Sequence, residues 1–138
     1  MRTLLILIVL LTSTSAKAGW INLGKGYSQG NTFTNYVDTT TIRKSGNMAR
    51  MWDLMDFEAA QRISNKGINI LFRSSKTQSE YDCKKKQQRQ LYMSLYTQNL
   101  GKGEVVLTDN NPTKWEPIPD GGSAAEALWK LACEKEVK

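Results

Sequence analysis

Apolar side chains along this chain recur mostly at every second position, the period of a strand. Leu91, Met93 and Leu95 fall on one parity, with Tyr92 and Tyr96 on the other. Met48 to Phe57 carries large apolar groups on both parities. Met48, Arg50, Trp52 and Leu54 make one face; Ala49, Met51, Asp53, Met55 and Phe57 make the other. Such a strand is expected to lie centrally and to be covered in part on both sides. Trp20 to Gly24, Thr32 to Val37 and Glu104 to Thr108 predict shorter strands. Ile68, Ile70 and Phe72 share a parity that Tyr81 and Cys83 do not, so a bulge or break is expected between Arg73 and Gln78. Turn signals fall at Asp38 to Thr41, Ser45-Gly46-Asn47, Lys84-Lys85-Lys86 and Gly101-Lys102-Gly103. Glu58 to Gly67 is polar and reads as a loop.

The last third changes period. Asp109-Asn110-Asn111-Pro112 is a turn cluster, and Pro117 and Pro119 keep the chain extended. Ser123-Ala124-Ala125-Glu126 has the form of a capping box, in which the Ser hydroxyl and the Glu carboxylate satisfy free amides of a first helical turn. Ala125, Leu128, Trp129 and Ala132 then follow helical spacing, with Leu131 widening the stripe. The pattern predicts an α+β domain: an antiparallel β-sheet of about six strands with one C-terminal α-helix of about three turns packed on one face.

Residues 1–18 read differently. Arg2 precedes the apolar run Leu4 to Leu11, and Ala16-Lys17-Ala18 supplies small residues at both positions of a cleavage signal. This is the layout of a signal peptide. The run is too short for a membrane span, which takes about 20 apolar residues, and no later segment offers one. Cleavage after Ala18 would leave a single domain over 19–138. It would also take Arg2 and Lys17 away, lowering the net charge from +6 to +4. The protein is then expected to be exported, to the periplasm or the cell surface.

Export decides how the two Cys are read. In an oxidising compartment Cys83 and Cys133 are expected to form one disulfide, stapling a strand end to the helix. The redox alternative calls for a C-x-x-C pair or a basic partner such as His, and neither is evident. The chain has no His at all among its 138 residues. That removes the usual Ser-His-Asp and Cys-His machinery and any His metal site. Two Cys cannot build a four-thiolate zinc site. Glu80 and Asp82 share a strand face, while Asp53 and Asp56 do not, and no spacing sets two carboxylates across a cleft. Asp109, Asn110 and Asn111 fall short of a calcium loop. No enzyme activity, cofactor or metal is expected.

The sharpest surface signal is basic. Lys84, Lys85, Lys86 and Arg89 crowd one hairpin tip and make a candidate partner-binding site for an acidic surface. The plainer reading is a solvated hairpin that guards an edge. Nucleic acid is not an expected partner, for want of an aromatic stacking module beside the cluster. Tyr92 and Tyr96, with Tyr81, offer an aromatic recognition surface, although packing beneath the helix is the simpler expectation. Trp115 is read as a clamp holding its loop to the sheet, with a partner anchor as the alternative.

Several stretches resemble the surface-adhesin protein E family of Gram-negative bacteria. They are Tyr81-Asp82-Cys83, Arg89 to Tyr96, Gly101-Lys102-Gly103 and Asp109 to Pro112. The ending Trp115-Glu116-Pro117-Ile118-Pro119 through Ala127-Leu128-Trp129-Lys130 to Cys133 is the most specific. Trp20, Tyr36-Val37-Asp38 and the Ile42 to Trp52 hairpin fit the same layout. The resemblance implies a small sheet with a C-terminal helix, a strand-to-helix disulfide and a capacity to form a homodimer. It also implies a non-enzymatic, adhesin-like role, binding a host extracellular protein such as a matrix protein. The alternative is a periplasmic structural or assembly protein, since the family-like chain carries no lipidation Cys.

Overall fold

The computed structural model describes residues 19–28 and 30–134; the expected signal peptide lies outside them. Its strands follow one another in chain order across one antiparallel sheet. They are β1 (Trp20–Ser28), β2 (Asn31–Ser45), β3 (Met48–Asn65), β4 (Ile68–Asp82), β5 (Gln87–Tyr96) and β6 (Val105–Asp109). A two-residue strand, β7 (Glu116–Pro117), lies beside Gln87 and Gln88 of β5. The helix α1 (Ala124–Glu134) follows. Among the described residues no helix is long and apolar enough to cross a membrane.

The expected strand parities decide the layers. Ala49 and Met51 of β3, Val37 of β2 and Tyr81 of β4 are fully buried and pack with Ile118 and Ala132. Ala125, Leu128, Trp129 and Leu131 close over them from the helix. On the opposite parity, Leu54 is buried as well, beneath the turn that contains Gly101. So β3 is covered on both sides, as its sequence predicts. At one end of the sheet Phe33, Phe57 and Phe72 meet edge to face, with centroids 6.0 and 5.7 Å apart. Phe33 lies flat against Gly26, where a Cβ would fall 2.4 Å from the ring. Any larger residue there would drive β1 and β2 apart.

The capping box forms. The Glu126 amide donates to Ser123 Oγ at 3.1 Å, and Glu126 Oε1 accepts from the Gly122 amide at 3.2 Å. The helix is tied back in three further ways. Cys83 and Cys133 form a disulfide with Cα atoms 5.6 Å apart. Trp129 Nε1 donates to the Asp82 carbonyl at 3.1 Å, and Lys44 Nζ donates to the Cys133 carbonyl.

Three expectations are corrected. Glu58 to Gly67 is not a loop: β3 runs on to Asn65 and turns at Lys66 and Gly67 into β4. Its backbone groups are satisfied by the partner strand, so polar side chains at the arm's surface cost nothing. Nor does β4 break between Arg73 and Gln78. It stays continuous, and the parity conflict is absorbed by its partners. One register shift lies in β3 between Asp56 and Gln61, another where Gln78 and Ser79 meet β5. Asp38 to Thr41 is likewise no turn but a register shift within β2.

Asp53 is the costly residue of the helix-facing layer. It stands between Val37 and Thr77 on the neighbouring strands. Burial pushes its carboxyl up from 3.8 to about 7, against a weaker pull down from a backbone hydrogen bond. Tyr81 is also pushed well up, first by burial and then by the Asp53 charge.

Two outcomes are expected. Replacing both Cys83 and Cys133 by Ala should lower the unfolding free energy in urea by about 4 kcal/mol, the loop-closure value for a 50-residue loop. A loss below about 1 kcal/mol would show that the staple adds little to the packed helix. Because the folded pKa of Asp53 lies above its unfolded one, the folded chain binds the extra proton between about pH 4 and 7. Stability should therefore fall as pH rises through that window, by at most about 4 kcal/mol. In Asp53→Asn this part of the slope should vanish, measured by urea unfolding at pH 4, 5.5 and 7.5.

Candidate functional site

Two places in the fold gather chemistry. The first is the tip between β4 and β5. Asp82, at the end of β4, turns its carboxylate into the tip, where Oδ1 accepts from the amides of Lys84 and Lys85 at 3.0 and 2.9 Å. The Cys83 amide donates to the Asn47 carbonyl of the neighbouring turn at 2.8 Å. The turn closes at Lys86, whose φ of 52° lies in the left-handed region.

The four basic side chains of this tip have different fates. Lys86 folds back over the Trp129 ring and pairs with Asp120 and with Glu126, the latter at 2.6 Å. Those two carboxylates, Asp120 foremost, hold the Lys86 ammonium above its ordinary pKa. In return both carboxyls are lowered. Arg89 reaches sideways along the sheet. Its guanidinium grips Glu80 at 2.7 and 3.0 Å and lies 4.7 Å over the Trp115 ring. Arg50 meets the other Glu80 oxygen at 2.9 Å. Burial by itself would raise the Glu80 pKa, but the two guanidinium groups outweigh it and hold the carboxyl low. Trp115 therefore sits where a clamp is expected. Thr113 reinforces it, exchanging hydrogen bonds with Gln90 of β5 at 2.9 Å. Lys84 and Lys85 remain exposed, and among the described residues no carboxylate pairs with either.

The second place is the face of the sheet turned away from the helix. Here a cleft of about 580 Å³ is lined from five strands by Trp20, Asp38, Thr41, Trp52, Lys76, Gln78, Tyr92, Ser94 and Tyr96. The register explains the gathering. Trp52, Gln78 and Tyr92 are cross-strand neighbours, as are Leu54, Lys76 and Ser94 one step on. Tyr92 and Tyr96 thus lie in this cleft and not beneath the helix. A residue of β5 is skipped where Gln78 and Ser79 pair with Tyr92 and Gln90, which keeps Tyr92 on the Trp52 side. Tyr81 parts from them and is buried against the helix.

Within the cleft Trp52 and Tyr92 meet edge to face at 5.4 Å. The Lys76 ammonium stands 5.1 Å over the Tyr96 ring and 6.0 Å over that of Trp20. Its stem lies across Gly101, where a Cβ would come within 2.4 Å of Lys76 Cε. The backbone there has φ of 68°, which favours glycine, and any side chain would also have to push the Lys76 stem aside. Asp38 braces the wall, its Oδ1 accepting from the Thr40 amide at 3.0 Å. The parity of Trp52 with Tyr92 and Tyr96 is visible in sequence. Lys76 is not, because it falls in the stretch where a break is expected.

The family described as surface-adhesin protein E matches this sequence over residues 20–134. Two solved structures share the fold. One is protein E from non-typeable Haemophilus influenzae, with a TM-score of 0.57 at 14% identity, covering 84% of this chain and 78% of that one. The other is Haemophilus influenzae protein E, with a TM-score of 0.57 at 13% identity, covering 90% and 93%. No curated protein matches the sequence. At this identity the two structures speak for the fold, and the family match, running from Trp20 into the last turn of α1, speaks for descent. The chain belongs to the surface-adhesin protein E family.

Proposed function

We propose that this protein is exported and acts, without catalysis, as an adhesin-like binding protein for an acidic stretch of a host extracellular protein. The contact cations are Lys84 and Lys85, with Lys86 and Arg89 holding the tip beneath them. One observation carries this reading. Of four cations crowded on one tip, two are taken up by Glu126, Asp120 and Glu80, and two stand exposed on a turn fixed by Asp82 and the disulfide. Two exposed ammonium groups carried on a fixed turn attract an acidic partner. Family membership supports the adhesin-like role.

The test is capture of immobilised matrix proteins by the wild type and by Lys84→Ser/Lys85→Ser. The double variant should bind at least about tenfold more weakly, and wild-type binding should weaken as salt rises from 50 to 500 mM. Its stability should move by no more than about 0.5 kcal/mol, because both side chains are exposed. Lys86→Ser, by contrast, should destabilise the fold, since it leaves Glu126 only the more distant Lys130. Equal binding by the double variant would remove the tip from the mechanism. A wild type that binds no matrix protein, in cells whose copy is protected from added protease, would favour a periplasmic assembly role.

A further inference from the structure

The cleft on the open face has the makings of a second binding site, independent of the Lys84–Lys85 tip. Its volume of about 580 Å³ falls within the range of small-ligand sites. Its walls are aromatic, from Trp20, Trp52, Tyr92 and Tyr96. Among the described residues Lys76 has no carboxylate or hydrogen-bond partner; its contacts are two ring faces and the Gly101 backbone. An ammonium held in place between rings, and short of a counter-ion, is set to receive an anionic group. Among the described residues no side-chain hydrogen bond engages Gln78 or the Tyr92 hydroxyl, so the cleft also keeps neutral donors and acceptors in hand.

The charge count narrows the ligand. One ammonium faces one carboxylate, Asp38, which is 4% exposed and lines the same cleft. A second or third negative charge on the ligand would meet Asp38, so a run of acidic side chains fits poorly. A ligand with one carboxylate, neutral hydroxyls and a flat apolar face fits well. The C–H face of a pyranose ring is such a surface, and its positive edge hydrogens match the negative faces of Trp and Tyr. We propose that this cleft binds a singly carboxylated sugar residue. Its carboxylate sits on Lys76 between Trp20 and Tyr96, its ring lies against Trp52, and its hydroxyls reach Gln78 and Tyr92.

The probes are cellobiouronic acid and cellobiose, which differ only in the carboxylate. Trp20 and Trp52 line the cleft, so their emission reports binding by the full chain, with saturation-transfer NMR as the second readout. The acidic disaccharide should bind with Kd of about 1 mM or tighter, and cellobiose at least about tenfold more weakly. Lys76→Met, which keeps the stem across Gly101, should bring the acidic sugar down to the level of cellobiose, and Lys76→Arg should keep most of the difference. Lys84→Ser/Lys85→Ser should leave it intact, which separates this site from the tip. Equal binding of the two disaccharides by the wild type, or binding of neither, would overturn the proposal, and that comparison needs no variant to fold. So would tighter, Lys76-dependent binding of a tetra-aspartate peptide, which would give the cleft to an acidic peptide.

Discussion

A single sheet has two faces, and the described residues hold one three-turn α-helix to cover them. The helix can shield only one side, and the organisation of the rest follows from that shortage. The core is built where the helix lies, from Val37, Ala49, Met51 and Tyr81 against Ile118 and Ala132. The helix is pinned there by a disulfide, by the Trp129 indole on the Asp82 carbonyl, and by Lys44 on the Cys133 carbonyl. Among the described residues the other face has no layer over it beyond the short turn Asn99–Gly101. It is furnished instead with side chains that tolerate water on one side: Trp52, Tyr92, Tyr96 and the stem of Lys76, with Leu54, Ser74 and Ser94 closed off. Large amphipathic side chains suit such a surface because each offers an apolar body and a polar tip. The cleft is the outcome of covering a sheet with too little chain.

The cations show how similar residues in one short stretch come to different ends. Lys86 and Arg89 each find a carboxylate that is itself hemmed in. Glu126 is 9% exposed and doubles as the helix cap, while Glu80 is 5% exposed and is shared by two guanidinium groups. Removing Lys86 would leave Glu126 only the more distant Lys130, and removing Arg89 would leave Glu80 only Arg50, so each loss costs more than an isolated surface pair is worth. Lys84 and Lys85 project away from any carboxylate because Asp82 spends its own on their backbone amides. The tip thus separates two structural cations from two exposed ones, and the separation is made by backbone geometry.

Much of this was legible in the sequence where periodicity spoke alone. The alternating residues of Met48 to Phe57 and Leu91 to Tyr96 forecast strands and their faces, and Ser123 with Glu126 forecast the helix start. The two Cys, read in an exported chain, forecast the staple. Polarity misled at Glu58 to Gly67, because a two-stranded arm in solvent needs hydrogen-bonded backbone and no apolar face. The parity conflict between Phe72 and Tyr81 was real, but it was settled by shifts in the partner strands, which a single strand's pattern cannot reveal. The cleft was hidden for the same reason. Trp20, Lys76 and Tyr96 belong to β1, β4 and β5, and only the register and bending of the sheet bring them together.

The order of the strands carries a consequence for how the molecule is made. Each strand from β1 to β6 pairs with its neighbour in the chain, so the sheet can zip up hairpin by hairpin with short loops to close. The helix is different. Its main partners lie on β2, β3 and the end of β4, and it follows all of these strands in the chain. Cys83 must therefore wait for its partner until α1 has been made. When Cys133 arrives, the bond it forms closes the slowest loop and also seals the one face the helix can protect. The oxidised pair thus marks that the last turn of α1 is in place: a chain truncated anywhere before it would carry an unpaired thiol, open to any quality-control thiol that inspects it.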